Sequence, residues 1–460
     1  MCVCTPPVVL LNWALMVKML DRLLRYSFST ARLWFLLFTA LLIASSQSVV
    51  SQHIGVGQSN VSPAKPTPRD KFFGMHIHRV EAIKNADGTP GVPSVAFGSW
   101  RLWDAGVAWM NLEPRRGVWD FNKLDRYVAL AEKYDIDVLL PLALTPQWAS
   151  ARPNEPCPYS KGCAAAPRDL LYWENYVRVV ATRYKGRIRN YEIWNEPDFI
   201  SAHPSTFFSG TPEEMVALAR SAYWVIKSID PKAIVTTPAT VAELERLDPY
   251  LRLGGGQFAD VVAGHFYTSP PENLVALIAR FKAVMKKYGL EHKPLWNTES
   301  GFLIANPLRE VRATPGSGVF ERVLSESEAA AYVARSLILA KANGIERSYW
   351  YAWDNFRMAL SRSDAGAPNL AGQAYQKVVQ WLENALIEKC SVSDKAIWVC
   401  NINRSDGPSR IVWNASGTIE WSVPADWKAR TYQTLDGQTT KITSQKLLIG
   451  SSPMMLYSGN

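Results

Sequence analysis

From Phe72 to Leu386 the chain repeats one pattern: a short apolar run, then a longer stretch whose apolar residues recur three and four positions apart. The runs are Phe72 to His76, Trp100 to Trp103, Val138 to Leu144, Asn190 to Trp194, Ile234 to Thr237, Val261 to His265, Pro294 to Asn297 and Arg347 to Tyr351. Their sequences do not alternate apolar and polar residues, as strands covered on both faces would not. The stretches between them predict helices over Leu124–Tyr134, Leu170–Tyr184, Pro212–Ile229, Val241–Leu247, Leu274–Tyr288, Ser325–Ala342 and Gly372–Leu386. One start is well marked: Thr211 caps, Pro212 opens the helix and Glu214 completes a capping box. Eight strands joined by crossover helices predict a closed (β/α)8 TIM barrel. The first crossover, His78 to Ser99, holds Gly88, Pro90, Gly91 and Pro93 and predicts no long helix. A doubly wound sheet fits the same alternation, but it calls for a glycine-rich phosphate signature near the first turn, and Gly74 alone does not supply one.

After Leu386 the period changes to two. Runs at Ala396–Asn401, Arg410–Val412, Thr418–Val423, Trp427–Gln433 and Leu447–Met455 predict strands between Gly, Ser and Asp turns. The expected organisation is a barrel over 71–386 and an accessory β domain, a small C-terminal β-sandwich, over 387–460. Trp413 and Trp427 of that domain are candidates for stacking on a sugar, but aromatics in such a domain are more often core.

Residues 1–46 predict a signal peptide or an N-terminal membrane anchor, and the polar, proline-containing 47–70 a linker. Leu33 to Ala44 is a continuous apolar run of 12 residues behind Arg22, Arg25 and Arg32, short for a bilayer span. Met16 and Met19 are alternative starts that shorten the leader. A secreted or periplasmic protein follows, anchored to the inner membrane if the segment is not cleaved. Export also suits the cysteines: Cys157 with Cys163, and Cys390 with Cys400, are spaced for two local disulfides. The leader carries +3 of the formal net charge of +9, and no run of lysine and arginine stands elsewhere. Nucleic acid is therefore not an expected partner.

Two carboxylates stand at strand ends. Glu196 follows Tyr191 to Asn195 and precedes Pro197, which biases it away from helical backbone; Glu299 follows Trp296-Asn297-Thr298. A parallel barrel brings all strand C-termini to one mouth, so residues after the fourth and seventh strands meet there. Paired carboxylates at a fixed gap suit glycosidic bond cleavage, one protonating the leaving oxygen and the other attacking the anomeric carbon or activating water. No cofactor is called for. His76 and His78 raise a metal question, but no third ligand accompanies them at suitable spacing, and no metal is expected.

Trp194-Asn195-Glu196-Pro197 and Glu299 resemble the glycoside hydrolases of clan A, the retaining (β/α)8 enzymes. Within the clan, Trp109 to Asp120, Trp296 to Glu299 and the C-terminal β domain are most similar to family thirty-nine, which includes xylosidases, iduronidases and bacterial exopolysaccharide glycosidases. The resemblance implies Glu196 as general acid/base and Glu299 as nucleophile. It implies Asn195 on the sugar 2-hydroxyl, Arg101 paired with Glu299, Tyr267 donating to the nucleophile beside His265, and Trp353 as the floor under the sugar. His76 and Trp148 are further groove candidates. Long loops at Pro146–Arg168 and Phe302–Arg322 suit the walls of an extended cleft. The expected substrate is a secreted bacterial polysaccharide cut internally; an exo-acting enzyme on short oligosaccharides and an inactive glycan-binding barrel are the alternatives.

Overall fold

A computed structural model describes residues 69–201, 205–362, 366–405 and 407–458. The predicted leader and nearly all of the linker lie outside these residues. Nine parallel strands form one sheet: β1 (Phe73–His76), β2 (Ser99–Arg101), β3 (Asp137–Leu142), β4 (Asn190–Ile193), β5 (Ile234–Thr236), β6 (Thr240–Val241), β7 (Val262–His265), β8 (Leu295–Ser300) and β9 (Ile345–Trp350). Their order is β5-β4-β3-β2-β1-β9-β8-β7-β6. A parallel bridge between Thr236 and Val261 joins β5 to the start of β7 and closes the ring. The strands β5 and β6 occupy one stave, interrupted at Thr237 to Ala239, so the barrel has eight staves. Every residue of β1, β4 and β7 is buried, which explains why their sequences do not alternate.

The helices are α1 (Trp109–Leu112), α2 (Asn122–Lys133), α3 (Leu170–Arg183), α4 (Pro212–Ile229), α5 (Asp248–Arg252), α6 (Asn273–Lys287), α7 (Glu326–Ala342) and α8 (Leu370–Leu382). The bounds of α4 coincide with those expected because both members of its capping box are formed, Thr211 accepting from the Glu214 amide and Glu214 from the Thr211 amide. One expected helix is absent. Instead of a helix over Val241–Leu247, the chain forms β6, a single 3-10 turn at Leu244–Leu247 and then α5. The β-branched pair Thr240-Val241 completes the fifth stave against Gly264 and His265, and Ala242, at φ 61°, turns the chain out of it. The first crossover carries only a 3-10 turn at Val80–Ala82, as its prolines and glycines predict.

The C-terminal region is all β: β10 (Leu386–Val392), β11 (Ile397–Arg404), β12 (Gly407–Asn414), β13 (Ile419–Ser422), β14 (Ala429–Gln433), β15 (Thr439–Lys441), β16 (Lys446–Ile449) and β17 (Met454–Ser458). Six of them form an antiparallel sheet in the order β10-β11-β12-β17-β14-β15, and β13 pairs with β16. Period two sorts the side chains. From β12 and β17, Ile411, Trp413 and Met455 join the core that is continuous with the barrel, while Val412, Met454 and Leu456 pack with Val423 and Ile449 in a second core. Two expectations fail at element ends. The last barrel helix stops at Leu382 rather than Leu386, where β10 begins, and Gly450 to Pro453 splits the expected run Leu447–Met455 into β16 and β17. Trp413 is fully buried, so it offers no face to a sugar. Both disulfides are formed, with Cα separations of 5.7 Å for Cys157–Cys163 and 4.1 Å for Cys390–Cys400.

Candidate active site

Strands β1, β2, β4, β7 and β8 each place a polar side chain at the C-terminal end of the barrel: His76, Arg101, Glu192, His265 and Glu299, all buried. Arg101 is the hub. Its Nε and one terminal nitrogen donate to the two oxygens of Glu192 at 2.9 and 2.5 Å. The same nitrogen donates to Asn195 Oδ1 at 2.6 Å, and the other to Glu299 Oε2 at 2.9 Å. Only a planar, forked cation satisfies so many acceptors at once. Burial alone would lower its pKa, but Glu192 and Glu299 turn the shift upward, so Arg101 is a fixed charge.

Glu299 receives a second donor, the Tyr267 hydroxyl, at 2.6 Å from Oε1. Glu196 sits differently. His265 Nδ1 lies 2.7 Å from its Oε1, and no arginine among the described residues bonds to it. Burial pushes Glu196 up to about 7, an effect that Arg101 opposes and Asp104 reinforces. Glu299 is also raised by burial and by Glu196, but His265, Arg101 and Tyr267 hold it back. Burial takes His265 down to about 4, so the imidazole is neutral near pH 7. The two environments therefore differ: burial pushes Glu196 up with no bonded arginine to oppose it, whereas Arg101 and Tyr267 donate directly to Glu299 and counter its rise.

The backbone around Glu196 is tightly held. Trp194 and Glu196 have φ of 64° and 48°, so Pro197 does not leave its neighbour in the extended region that the sequence predicts. Such backbone persists where its surroundings over-determine it. Here the Glu196 amide donates to Ala239 O at 2.8 Å, the Ser205 hydroxyl donates to Glu196 O, and the buried Trp194 donates from Nε1 to Phe207 O at 2.7 Å. On the sixth stave, β7, Gly264 admits Phe281 against the strand: a Cβ there would lie 2.4 Å from the ring. The register shift that follows it sets His265 beside Glu299.

Thus Glu196, Glu299, Asn195, Arg101, His265 and Tyr267 come together at the mouth. His76 is buried beneath them with Nε2 3.0 Å from Thr298 O, and burial holds its pKa well down, so it is a neutral support for the strand that carries Glu299. Trp353 is beside His76, its amide donating to His76 O at 2.8 Å, but it is 1% exposed and shows a ligand almost no face. Trp148 stands elsewhere. Its Nε1 donates to Glu113 O at 2.9 Å and its ring meets Trp109 and Tyr172, none of which bonds either carboxylate.

Two residues were missed. Glu192 completes the buried ion pair, and its signal was a charge inside the apolar run Tyr191 to Trp194. Asp104, at φ 57° after β2, accepts the hydroxyls of Tyr159 and Tyr351 at 2.5 Å each; nothing in its local sequence marks it.

Oxygens of Glu196 and Glu299 and a nitrogen of His265 lie within 4.8 Å of one another. A cation could be drawn to such a cluster, but the positive charge beside Glu299 is already Arg101. One oxygen of Glu196 and one of Glu299 thus approach within 4.8 Å across the mouth.

Residues 102–161 match the beta-galactosidase family model Glyco_hydro_42. No curated protein matches the chain in sequence. Among solved structures, a family 39 glycoside hydrolase from the gut symbiont Bacteroides cellulosilyticus WH2 superposes with a TM-score of 0.64 at 18% identity, over 85% of this chain and 81% of that one. A glucosidase from Croceicoccus marinus gives 0.57 at 14% identity, over 85% and 96%. A GH30 endoxylanase from Clostridium papyrosolvens C71 gives 0.54 at 14%, over 84% and 96%. The chain has the fold these enzymes share, a (β/α)8 barrel followed by a small β-sandwich.

Proposed function

We propose that the protein is a retaining β-glycoside hydrolase that cuts within a secreted bacterial polysaccharide. The observation that carries the proposal is the pair of carboxyl groups facing each other at the barrel mouth in unlike surroundings, Glu299 held by Arg101 and Tyr267 and Glu196 beside His265. Glu299 attacks the anomeric carbon while Glu196 protonates the leaving oxygen; Glu196, now a carboxylate, then deprotonates the water that releases the sugar. Arg101 occupies Asn195 Oδ1, which leaves the Asn195 amide nitrogen to donate to the sugar 2-oxygen. His265 orients Glu196 without competing for its proton near pH 7.

Internal cleavage is the reading favoured by a cavity at the segment that follows β9, although neither Glu196 nor Glu299 lines it. A cavity of about 430 Å³, lined by His78, Asp104, Tyr351, Asp354, Phe356 and Arg357 among others, opens next to Tyr351, whose amide donates to Ser300 O. It has room for a sugar beyond the one being cleaved. The apolar leader and the two disulfides support export. Among the described residues no helix is long and apolar enough to cross a membrane.

Mass analysis of products from a panel of bacterial exopolysaccharides and plant xylans tests the substrate. Families of larger oligomers are expected from the former. Monosaccharides from xylan-derived oligosaccharides would favour an exo-acting β-xylosidase, and no product from any β-linked glycan would leave a binding barrel.

The pH profile follows from the two carboxyl groups. The acid limb of kcat/KM reports ionisation of Glu299, and the basic limb, near pH 7, deprotonation of Glu196. In Glu196→Gln the basic limb should disappear. Its kcat should fall about 10³-fold on natural glycans but far less on aryl glycosides, whose leaving groups need no proton. The same substitution has a stability signature. The folded pKa of Glu196 lies above its unfolded value, so its contribution is full at low pH and lost as the pH rises through about 7. Glu196→Gln should therefore melt above the wild type at alkaline pH and beside it in acid. A basic limb unchanged in this variant would remove Glu196 from the acid role.

A further inference from the structure

The C-terminal β region reaches the segment that carries Tyr267. Trp413, on β12, is fully buried and stacks on Trp398, with centroids 5.5 Å apart and planes at 2°. Its indole Nε1 donates at 2.9 Å to Oε1 of Glu272, and Arg335, in the middle of α7, donates to the same oxygen at 2.7 Å. Glu272 immediately precedes α6. It thus closes the stretch that leaves β7 after His265 and carries Tyr267.

That stretch has little freedom. Between Tyr267 and Glu272 stand only Thr268, Ser269, Pro270 and Pro271, and the two prolines fix their own φ angles. Asn273 ties the end back: its side chain donates to Ser269 O at 3.0 Å and its amide to Pro270 O at 3.1 Å. Leu274 N donates to Pro271 O at 3.0 Å. A displacement at Glu272 has few dihedrals in which to dissipate before it reaches Tyr267. Breaking a buried ion pair or its support leaves a charge without its partner, so the cluster holds one arrangement strongly.

We propose that Trp413 is a positioning residue for the reaction: through Glu272 it fixes the segment bearing Tyr267, and so the hydrogen bond from Tyr267 to the nucleophile Glu299. The inference rests on the hydrolase reading for its consequence in catalysis. The link itself is a statement about Glu299, whose carboxyl is faced by Arg101, Tyr267, His265 and Glu196. Of these donors only Tyr267 stands on the segment that Glu272 closes.

The test compares the wild type, Trp413→Phe, Tyr267→Phe and the double variant. Phenylalanine keeps the stacking on Trp398 and removes the indole donor. Glu299 is titrated by NMR of carboxyl-labelled glutamate, and kcat and the acid limb of kcat/KM are measured beside it. Trp413→Phe should raise the Glu299 titration midpoint in the same direction as Tyr267→Phe. It should lower kcat by about three- to tenfold, the low end of coupling within one network. The double variant should move neither quantity beyond Tyr267→Phe alone. If Trp413→Phe folds poorly, Glu272→Gln, which keeps the acceptor oxygen and removes the charge, should show the same pattern.

A lower melting temperature with an unmoved Glu299 would overturn the proposal, as would effects of the two substitutions that simply multiply. If the wild type hydrolyses no β-glycoside while Glu299 still shifts in Trp413→Phe, the hydrolase reading fails and the positional link stands.

Discussion

Glu299→Gln should lower kcat by about five orders of magnitude on every substrate, activated aryl glycosides included, while KM changes little. An amide oxygen does not attack an anomeric carbon, and losses of this size accompany removal of a nucleophile that acts as part of a unit. The substituted side chain should still fit, because Arg101 Nη1 and the Tyr267 hydroxyl retain or regain amide partners in the same place. The contrast with Glu196→Gln is the informative part. Loss of the proton donor is forgiven by a good leaving group, and loss of the nucleophile is not. Initial rates on one natural glycan and one aryl glycoside, for both variants, check it. Glu299→Gln retaining more than about one hundredth of wild-type kcat would remove Glu299 from the nucleophile role.

Arg101→Met should damage both the fold and the chemistry. Arg101 and Glu192 are fully buried, and the nearest oxygen of Glu299 is 2.9 Å from the guanidinium. Removing the cation leaves two buried carboxylates without their partner, a cost of about 3–5 kcal/mol. The sign of its pH dependence follows from the carboxyl groups. Without Arg101 the folded pKa of Glu299, already raised by burial, rises further, so the folded state is favoured at low pH and loses stability as the pH rises through the raised value. The variant should therefore melt closest to the wild type in acid and furthest below it above neutrality. Any residual activity should have its acid limb displaced upward, because Glu299 ionises less readily. Arg101→Lys should not restore the wild type, since a single ammonium cannot bridge Glu192, Asn195 and Glu299 together. Thermal melts across pH, with kcat/KM profiles, check the prediction.

What could be read from the sequence was what depends on local pattern. The eight staves were legible because buried parallel strands are apolar throughout and the helices between them carry a three-and-four period. Helix α4 was legible to the residue because its start is written in side chains that bond their own backbone. The region after β5 shows the limit in reverse. Thr240 and Val241 form a strand because Gly264 and His265 lie beside them, a partner some two dozen residues downstream that no local window contains. Strands β10 and β15 were missed for a related reason: both are edge strands of the six-stranded sheet, largely exposed, so burial leaves little mark on their sequences.

The candidate site divides the same way. Glu196 and Glu299 stand out because each ends an apolar run, and the barrel geometry then brings them together. Glu192 was hidden in the run itself: its neighbours Tyr191 and Ile193 announce the strand, and only the arrival of Arg101 from β2 explains a carboxylate inside the barrel. Asp104 is set by Tyr159 and Tyr351, which come from the loops after the third and eighth staves. Trp148 and Trp353 show that an aromatic after a strand end is ambiguous by sequence. One packs outward on Trp109 and Tyr172, and the other is closed from solvent above His76.

The account rests on Glu299 forming a covalent glycosyl intermediate while Glu196 holds and returns the proton. The most direct measurement is the anomeric configuration of the first-formed product, followed by proton NMR from the moment enzyme is added to a β-glycoside. The account predicts that the β anomer appears first and equilibrates slowly to the mixture, which is retention by two displacements. Initial release of the α anomer would mean a single displacement by water and would contradict it.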